Sequence, residues 1–257
     1  MRLIFAAIFL LVNFFSIFSI KPYESAGMVV FENPEEVSNS LLYFLLILIF
    51  TAFVLIIART RLLSAIIYIL TFIAMFYVLI PFFELFSFFI SAIITILIIK
   101  KPNWIILNLS AFLLSSGIAT MFGISLSPIP AVFLLVILAI YDAISVYKTK
   151  HMINLAESVS KINAPMLFVI PKGNEKAMIG VGDIVMPAIL AVSAQKFLLA
   201  PEIFSIKFPA LFTIFGGFFG LLILIYIVEK KGGAHAGLPF INSGAIAGFA
   251  ISNLILN

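Results

Sequence analysis

Cysteine is absent from the sequence, and histidine occurs only at His151 and His235. The absence of cysteine excludes a disulfide framework, a thiolate metal site and a cysteine nucleophile. Two histidines so far apart cannot form the His-Glu-x-x-His zinc motif. We therefore expect no metal and no other cofactor, and we look for the chemistry among the carboxylates.

Charged residues are also scarce, at 10% of the 257 residues, whereas 64% are apolar. A soluble domain could not cover its surface with so few charges. The sequence therefore predicts an all-α, polytopic protein of the cell membrane that contacts the lipid bilayer over most of its surface. Despite the net charge of +4, we expect no binding to nucleic acid, because the basic residues lie in short loops between apolar runs.

Apolar runs long enough to cross a bilayer recur along the whole chain. A spanning helix needs about 20 mostly apolar residues, and cutting the sequence at charges and prolines predicts nine. We expect a single membrane-embedded domain over 1–257, with five scaffold helices in 1–127 and four catalytic helices in 128–257. The last four include an inner linking loop at 148–177. The predicted spans are 3–20, 40–58, 62–80, 82–99, 104–123, 129–147, 178–198, 208–228 and 238–256.

The basic residues predict the orientation of these spans. With the N-terminus cytoplasmic and the C-terminus outside, 12 of the 15 lysines and arginines fall in inner loops, as the positive-inside bias demands. The first span could instead be a signal peptide, because Arg2 precedes an apolar core. Its run is long for that purpose and no small-x-small cleavage site follows, so the sequence favours a retained helix. The inner residues are Arg2, Arg59, Arg61, Lys100, Lys101, Lys148, Lys150, Lys161, Lys172, Lys176, Lys230 and Lys231.

Asp142 and Asp183 are the carboxylates that lie inside apolar spanning runs. A charged residue at the centre of a spanning helix costs about 2.5 to 3.5 kcal/mol, which indicates that the chain uses them. Asp142 lies six residues before Lys148 and Asp183 seven residues after Lys176. At 1.5 Å per residue, both carboxylates are predicted roughly 9 to 10 Å inside the cytoplasmic boundary. On adjacent antiparallel helices they can face each other.

Two facing carboxylates in a low-dielectric site cannot both be ionised cheaply, so they share a proton. This is the arrangement of an aspartic protease, in which one carboxylate activates water and the other polarises the scissile carbonyl. Gly180 and Gly182 would let a neighbour or a substrate backbone approach closely, and Pro187 should kink the helix. A transporter that relays protons or binds ions uses buried aspartates as well, and their positions alone leave both functions open.

The inner loop contains an apolar run, Met166 to Ile170, between Pro165 and Pro171. Such a run predicts an extended strand. One interpretation is a loop lying on the membrane surface. The other is a strand that pairs with an extended polypeptide delivered to the site.

Tyr141-Asp142 in the sixth span, Gly180-Val181-Gly182-Asp183 in the seventh and a proline motif opening the ninth resemble the presenilin and signal peptide peptidase family of intramembrane aspartyl proteases. The resemblance covers essentially the whole chain. With no large soluble domain, the chain resembles the minimal archaeal homologues of this family. The resemblance implies an endopeptidase that cleaves transmembrane segments or signal peptides with Asp142, Asp183 and water. It leaves homo-oligomerisation open.

The family's Pro-Ala-Leu motif is altered in this chain. A literal copy, Pro209 to Leu211, opens the eighth span on the outer side, whereas the ninth span opens with Gly237-Leu238-Pro239 at the level of the aspartates. We therefore assign the motif's role to Gly237, Leu238 and Pro239. The resemblance suggests that 242–244 line the active cavity, but these polar residues could equally bond neighbouring helices.

Two other functions remain as alternatives. A proton- or cation-coupled transporter using the same acids would be expected to show an internal repeat, and none is evident. A non-catalytic membrane chaperone or scaffold would not require both aspartates at equal depth.

Overall fold

The structure, a computed structural model, describes residues 2–57, 63–149, 165–172, 175–233 and 235–256. It is mostly helical, with ten α-helices and two short β-hairpins in the described residues. The helices are α1 Arg2–Phe18, α2 Ile20–Ser25, α3 Val37–Ile57, α4 Leu63–Phe83, α5 Phe86–Lys100, α6 Trp104–Gly123, α7 Pro128–Ile144, α8 Val181–Phe197, α9 Phe208–Lys231 and α10 Leu238–Leu256. The strands are β1 Leu167–Lys172, β2 Glu175–Gly180, β3 Glu202–Ile203 and β4 Ile206–Lys207.

Each predicted span overlaps one of the long helices, so the sixth, seventh and ninth spans correspond to α7, α8 and α10. Six of the described helices are long and apolar enough to cross a membrane. Three others that overlap predicted spans, α1, α5 and α8, have 15 to 17 residues. The multi-pass membrane protein is therefore established by the six, while the count of nine spans and the orientation of the termini stay predictions.

Polar and apolar residues are distributed over the faces of α5 as in a helix surrounded by lipid. Its buried face carries Ser87, Ser91 and Thr95, which recur every four residues, whereas Phe86 and Phe89 are exposed. A helix of a soluble protein places its apolar stripe inward instead. In lipid, small polar residues at the helix interface allow close packing, and large apolar side chains face the acyl chains.

Helix α8 is the centre of the bundle. Every residue from 184 to 194 is buried, and α8 packs against α1, α6, α7, α9 and α10. A helix that is apolar all round is stable only when neighbours cover it on all sides. Asp183 stands one residue before this buried stretch, so the core of the fold fixes the position of its backbone.

Helices α9 and α10 touch through their backbones. A methyl group added at Gly220 would lie 2.9 Å from Ile241 Cα, and one added at Gly244 would lie 3.3 Å from Gly220 Cα. Glycine is therefore required at these positions for the two helices to approach closely. This contact fixes where the N-terminus of α10 lies, and the candidate site is built at that end.

The second half of the segment that links α7 and α8 has a different structure from the one that the sequence predicted. The predicted strand is confirmed as β1, but the seventh span was predicted to begin at 178, and residues 175–180 instead form β2, which pairs antiparallel with β1. The pairing places Phe168 opposite Ile179, and both are buried in the core. Burial of these apolar side chains favours the strand, and helix α8 begins only at Val181. The hairpin of β3 and β4 was not predicted either.

Candidate active site

Asp142 lies in the last turn of α7 and is only 7% exposed. A negative charge is disfavoured at the C-terminus of its own helix, where the carbonyl groups point. Asp142 is compensated by the opposite end of another helix, because the backbone N–H of Leu238, the first residue of α10, donates to its Oδ2 at 3.1 Å. The carboxylate thus satisfies an amide that has no partner within α10.

Asp183 occupies the first turn of α8, where a helix favours an acid. Gly180 precedes the helix as its N-cap with extended backbone angles, φ −65° and ψ 138°. The Asp183 carboxyl lies close to Gly180, because a methyl group added at Gly180 would lie 3.2 Å from its Oδ2. A carboxyl group at the third residue of a helix that turns back toward the N-cap has the placement seen in a capping box.

Gly237 lies directly against the Asp183 carboxyl. A methyl group added at Gly237 would lie 2.8 Å from Asp183 Cγ and 2.8 and 2.9 Å from its two oxygens. The next residue, Leu238, donates to Asp142, so one dipeptide contacts both aspartates. Both carboxyl groups therefore lie against the same two residues of the chain. The structure therefore brings α7, α8 and the start of α10 together around one pair of acids.

The other predicted site residues surround this pair. Val181 and Gly182 form the first turn of α8, and a methyl group added at Gly182 would meet no atom within 4 Å. Pro239 is partly buried in the first turn of α10. The ring of Tyr141 lies edge-on to Phe44 of α3, with ring centroids 5.8 Å apart. Tyr141 therefore contacts the neighbouring helix beside the aspartates.

The literal Pro-Ala-Leu copy lies at the opposite end of the bundle. Pro209 stands in the first turn of α9, as a proline opening an ordinary helix does. The preceding Lys207 donates its backbone N–H to Gln195, which follows Asp183 by 12 residues on α8. At 1.5 Å per residue this is about 18 Å from Asp183.

Residues 242–244 bond neighbouring helices and their own helix. Asn242 is fully buried, and its Nδ2 donates to the Leu135 carbonyl of α7 at 2.9 Å. Ser243 is exposed and donates to the Phe240 carbonyl one turn earlier, while Gly244 packs on Gly216. These contacts support the alternative that polar residues at 242–244 bond neighbouring helices.

A cavity of about 500 Å³ reaches the start of α8 at Gly182, the residue before Asp183, and neither aspartate lines it. Its floor includes Val181 and Gly182 at the start of α8, and Met166 just before β1. Its walls are mostly apolar side chains of α3, α4 and α6, among them Phe50, Ile73 and Leu114. Nothing in the sequence alone indicated this cavity, because its wall residues on α3, α4 and α6 lie 65 to 133 positions before Asp183.

The hairpin next to the cavity has two unlike edges. On β1, the Nδ2 of Asn108 in α6 donates to the Val169 carbonyl and its Oδ1 accepts the Val169 N–H, both at 2.8 Å. On β2, Met178 lies opposite Val169, so its backbone groups also point away from the hairpin. Among the described residues none bonds to these groups of Met178. The free edge is therefore on β2, and not on the strand that the sequence singled out.

Comparisons with known proteins identify the family of the chain. Residues 6–257 match the family described as signal-peptide peptidase, presenilin aspartyl protease. Two solved structures of a presenilin family intramembrane aspartate protease are similar to the chain. The one in the P2 space group has 34% identity, covers 97% of this chain and 96% of that chain, and has a TM-score of 0.75. The one in the C222 space group has 32% identity, covers 99% of each chain and has a TM-score of 0.78.

A comparison with curated proteins gives no match. The family match spans nearly the whole chain, and each structural likeness exceeds 30% identity over almost all of both chains. The chain therefore belongs to the signal peptide peptidase and presenilin family of intramembrane aspartyl proteases.

Proposed function

We propose that Asp142 and Asp183 are the catalytic pair and that they hydrolyse peptide bonds within transmembrane segments or signal peptides. The observation that carries this proposal is the dipeptide Gly237-Leu238, which contacts both carboxyl groups. A contact shared by two acids on different helices sets their mutual geometry. Such geometry is what general acid–base catalysis requires.

The chemistry needs one proton shared between the two carboxyl groups. The ionised carboxylate takes a proton from water while the water oxygen bonds to the scissile carbonyl carbon, and the protonated partner donates to the carbonyl oxygen. The C–N bond of the tetrahedral intermediate then breaks, and the amine nitrogen takes the proton that the first carboxylate accepted. One hydroxyl of the intermediate returns a proton to the second carboxylate, which restores the starting pair. The products are a new carboxyl end and a new amino end.

The substrate reaches the pair through the cavity and along the free edge of β2. The mostly apolar walls of α3, α4 and α6 suit a few apolar side chains of a transmembrane segment, whose helical backbone shields its own amides until it unwinds. An unwound segment can add to β2 as a third strand, with its hydrogen bonds made to Met178. Met178 precedes Asp183 by five residues, so a strand added there runs toward the carboxyl pair.

Gly182 provides a test of the substrate path. Its substitution Gly182→Ala adds a methyl group to open space at the cavity floor. The folded protein should be as stable as the parent or up to about 1 kcal/mol more stable, because alanine is the better helix former. We expect KM for a transmembrane peptide to rise about tenfold, equivalent to about 1.4 kcal/mol of binding. Thermal unfolding in detergent and steady-state cleavage measure the two effects, and an unchanged KM would contradict the path.

The function is tested by cleavage of a fluorescent transmembrane peptide by the purified protein in liposomes, with products identified by mass spectrometry. We expect cleavage inside the apolar segment, and faster cleavage when a glycine or proline weakens the helix near that bond. A matched peptide with leucine at that position is the control. The transporter alternative has no support from the family match. Absence of cleavage across several peptides, together with pH-dependent cation uptake, would restore it.

A further inference from the structure

The side chain of Asn108 is placed on the hairpin as though it were one residue of a third strand. In an antiparallel sheet, a hydrogen-bonded residue both donates to and accepts from the same residue opposite. The Asn108 amide reproduces this pattern with Val169, at 2.8 Å for each bond. An amide side chain is the group that can match a backbone N–H and C=O together, since it carries one donor and one acceptor side by side.

This contact occupies the edge of β1. Val169 is the central residue of β1 whose backbone N–H and C=O point away from β2. The next such residue, Pro171, has no N–H that could donate to another strand. A two-stranded sheet has one edge on each strand, and the β2 edge at Met178 is open in the described part of the chain. An incoming strand therefore finds its backbone partners on β2, on the side that continues into Asp183.

Asn108 also fixes the position of the hairpin relative to the aspartates. It belongs to the second turn of α6, and α6 packs on the buried helix α8. The buried side chains of Phe168 and Ile170 hold one face of the hairpin against the core. Apolar contacts alone, however, would allow β1 to slide along its own axis. The two directional hydrogen bonds from Asn108 to Val169 prevent this sliding, because a shift by one residue would turn the N–H and C=O that Asn108 contacts away from it.

We propose that Asn108 is a positioning residue that sets the cleavage register, by fixing the hairpin and by reserving β2 for the substrate strand. The proposal rests on the proposed function, because it concerns which peptide bond is presented to Asp142 and Asp183. A substrate that pairs with β2 in a fixed register places one bond at the carboxyl pair. A hairpin that moves by a fraction of a strand repeat places neighbouring bonds there as well.

The test compares Asn108→Asp and Asn108→Ala with the parent in liposomes, using a fluorescent transmembrane peptide and mass spectrometry of the products. Aspartate has the shape of asparagine but cannot donate to the Val169 carbonyl when ionised, so it separates hydrogen bonding from packing. We expect both variants to spread cleavage over bonds one or two residues from the parent's main site. We expect kcat/KM to fall about tenfold, since small displacements of bound groups are costly for rate.

Asn103→Ala is the matched control. Asn103 caps the same helix by accepting the Ile106 N–H at 2.8 Å, and in the described part of the chain no hydrogen bond joins its side chain to the hairpin. This variant loosens the start of α6, so a merely structural effect of asparagine loss would appear here too. We expect its product pattern to equal that of the parent.

Hydrogen exchange of the backbone amides in 167–172 gives a readout that does not depend on cleavage. Exchange should rise in both Asn108 variants and stay at the parent level in Asn103→Ala. Faster exchange with an unchanged product pattern would overturn the positioning role, as would an unchanged pattern and rate in both Asn108 variants. If the parent itself cleaves no peptide, the proposed function falls and the register proposal with it. A parent that cleaves beside Asn108 variants that cleave identically overturns the register proposal alone.

Discussion

Replacement of either aspartate, Asp142→Asn or Asp183→Asn, is expected to reduce cleavage of a transmembrane peptide by at least about 10³-fold, near the upper range for general acid–base catalysis. Each asparagine keeps the size of the side chain and removes its ability to exchange a proton. In the proposed mechanism the two carboxyl groups share one proton, so neither can complete the reaction alone. Single-turnover cleavage in liposomes measures the loss.

The fold should survive both substitutions. Removing a membrane-buried acid costs the fold little, since a charged residue is unfavourable in apolar surroundings. The asparagine at 142 can still accept the Leu238 N–H through its side-chain oxygen. Thermal unfolding in detergent should therefore give parent-like transitions. Residual turnover near the parent rate in either folded variant would contradict the assignment of the pair.

Gly237→Ala is expected to lower kcat about 10²-fold while the protein stays folded. The new methyl group would lie 2.8 Å from Asp183 Cγ, a distance too short for two carbons that are not bonded. The obstructing atoms belong to the end of a short side chain, so the carboxyl group shifts and the backbone remains. A displacement of this kind from the reactive position costs roughly 10²-fold in rate.

Gly182→Ala is the matched control for this experiment, because it adds the same methyl group near Asp183 but into open space. The two variants should differ in the kinetic parameter that changes, with kcat reduced in Gly237→Ala and KM raised in Gly182→Ala. Stopped-flow or single-turnover cleavage separates the two parameters. Equal kcat values in Gly237→Ala and the parent would show that the Asp183 carboxyl does not need its present position.

The sequence predicted the family, the membrane class and the aspartic protease activity, and the family comparison confirms them. These properties follow from local features: apolar runs, two buried acids, and the strings around Asp142 and Asp183. The position of Gly237 against Asp183 could be expected only from the family resemblance. Nothing in its local sequence indicates a contact with a residue 54 positions earlier.

The parts that the sequence did not predict depend on contacts between distant segments. Strand β2 looked like the start of a spanning helix because Ala177, Met178 and Ile179 are apolar, and only pairing with β1 makes them extended. Asn108 was not singled out from the sequence, because an amide in an apolar run is a feature shared by many helix-packing residues. Its role becomes visible when α6 and β1 are brought together in the fold.

The most direct measurement of the central claim is single-turnover cleavage by the double variant Asp142→Asn with Asp183→Asn, beside the parent and both single variants. Groups that act as a unit are not additive, so removing the second costs little once the first is gone. The account predicts that the double variant cleaves as slowly as each single variant and no slower. If the two losses multiplied, or if the double variant kept the activity of the parent, Asp142 and Asp183 would not be a single catalytic pair.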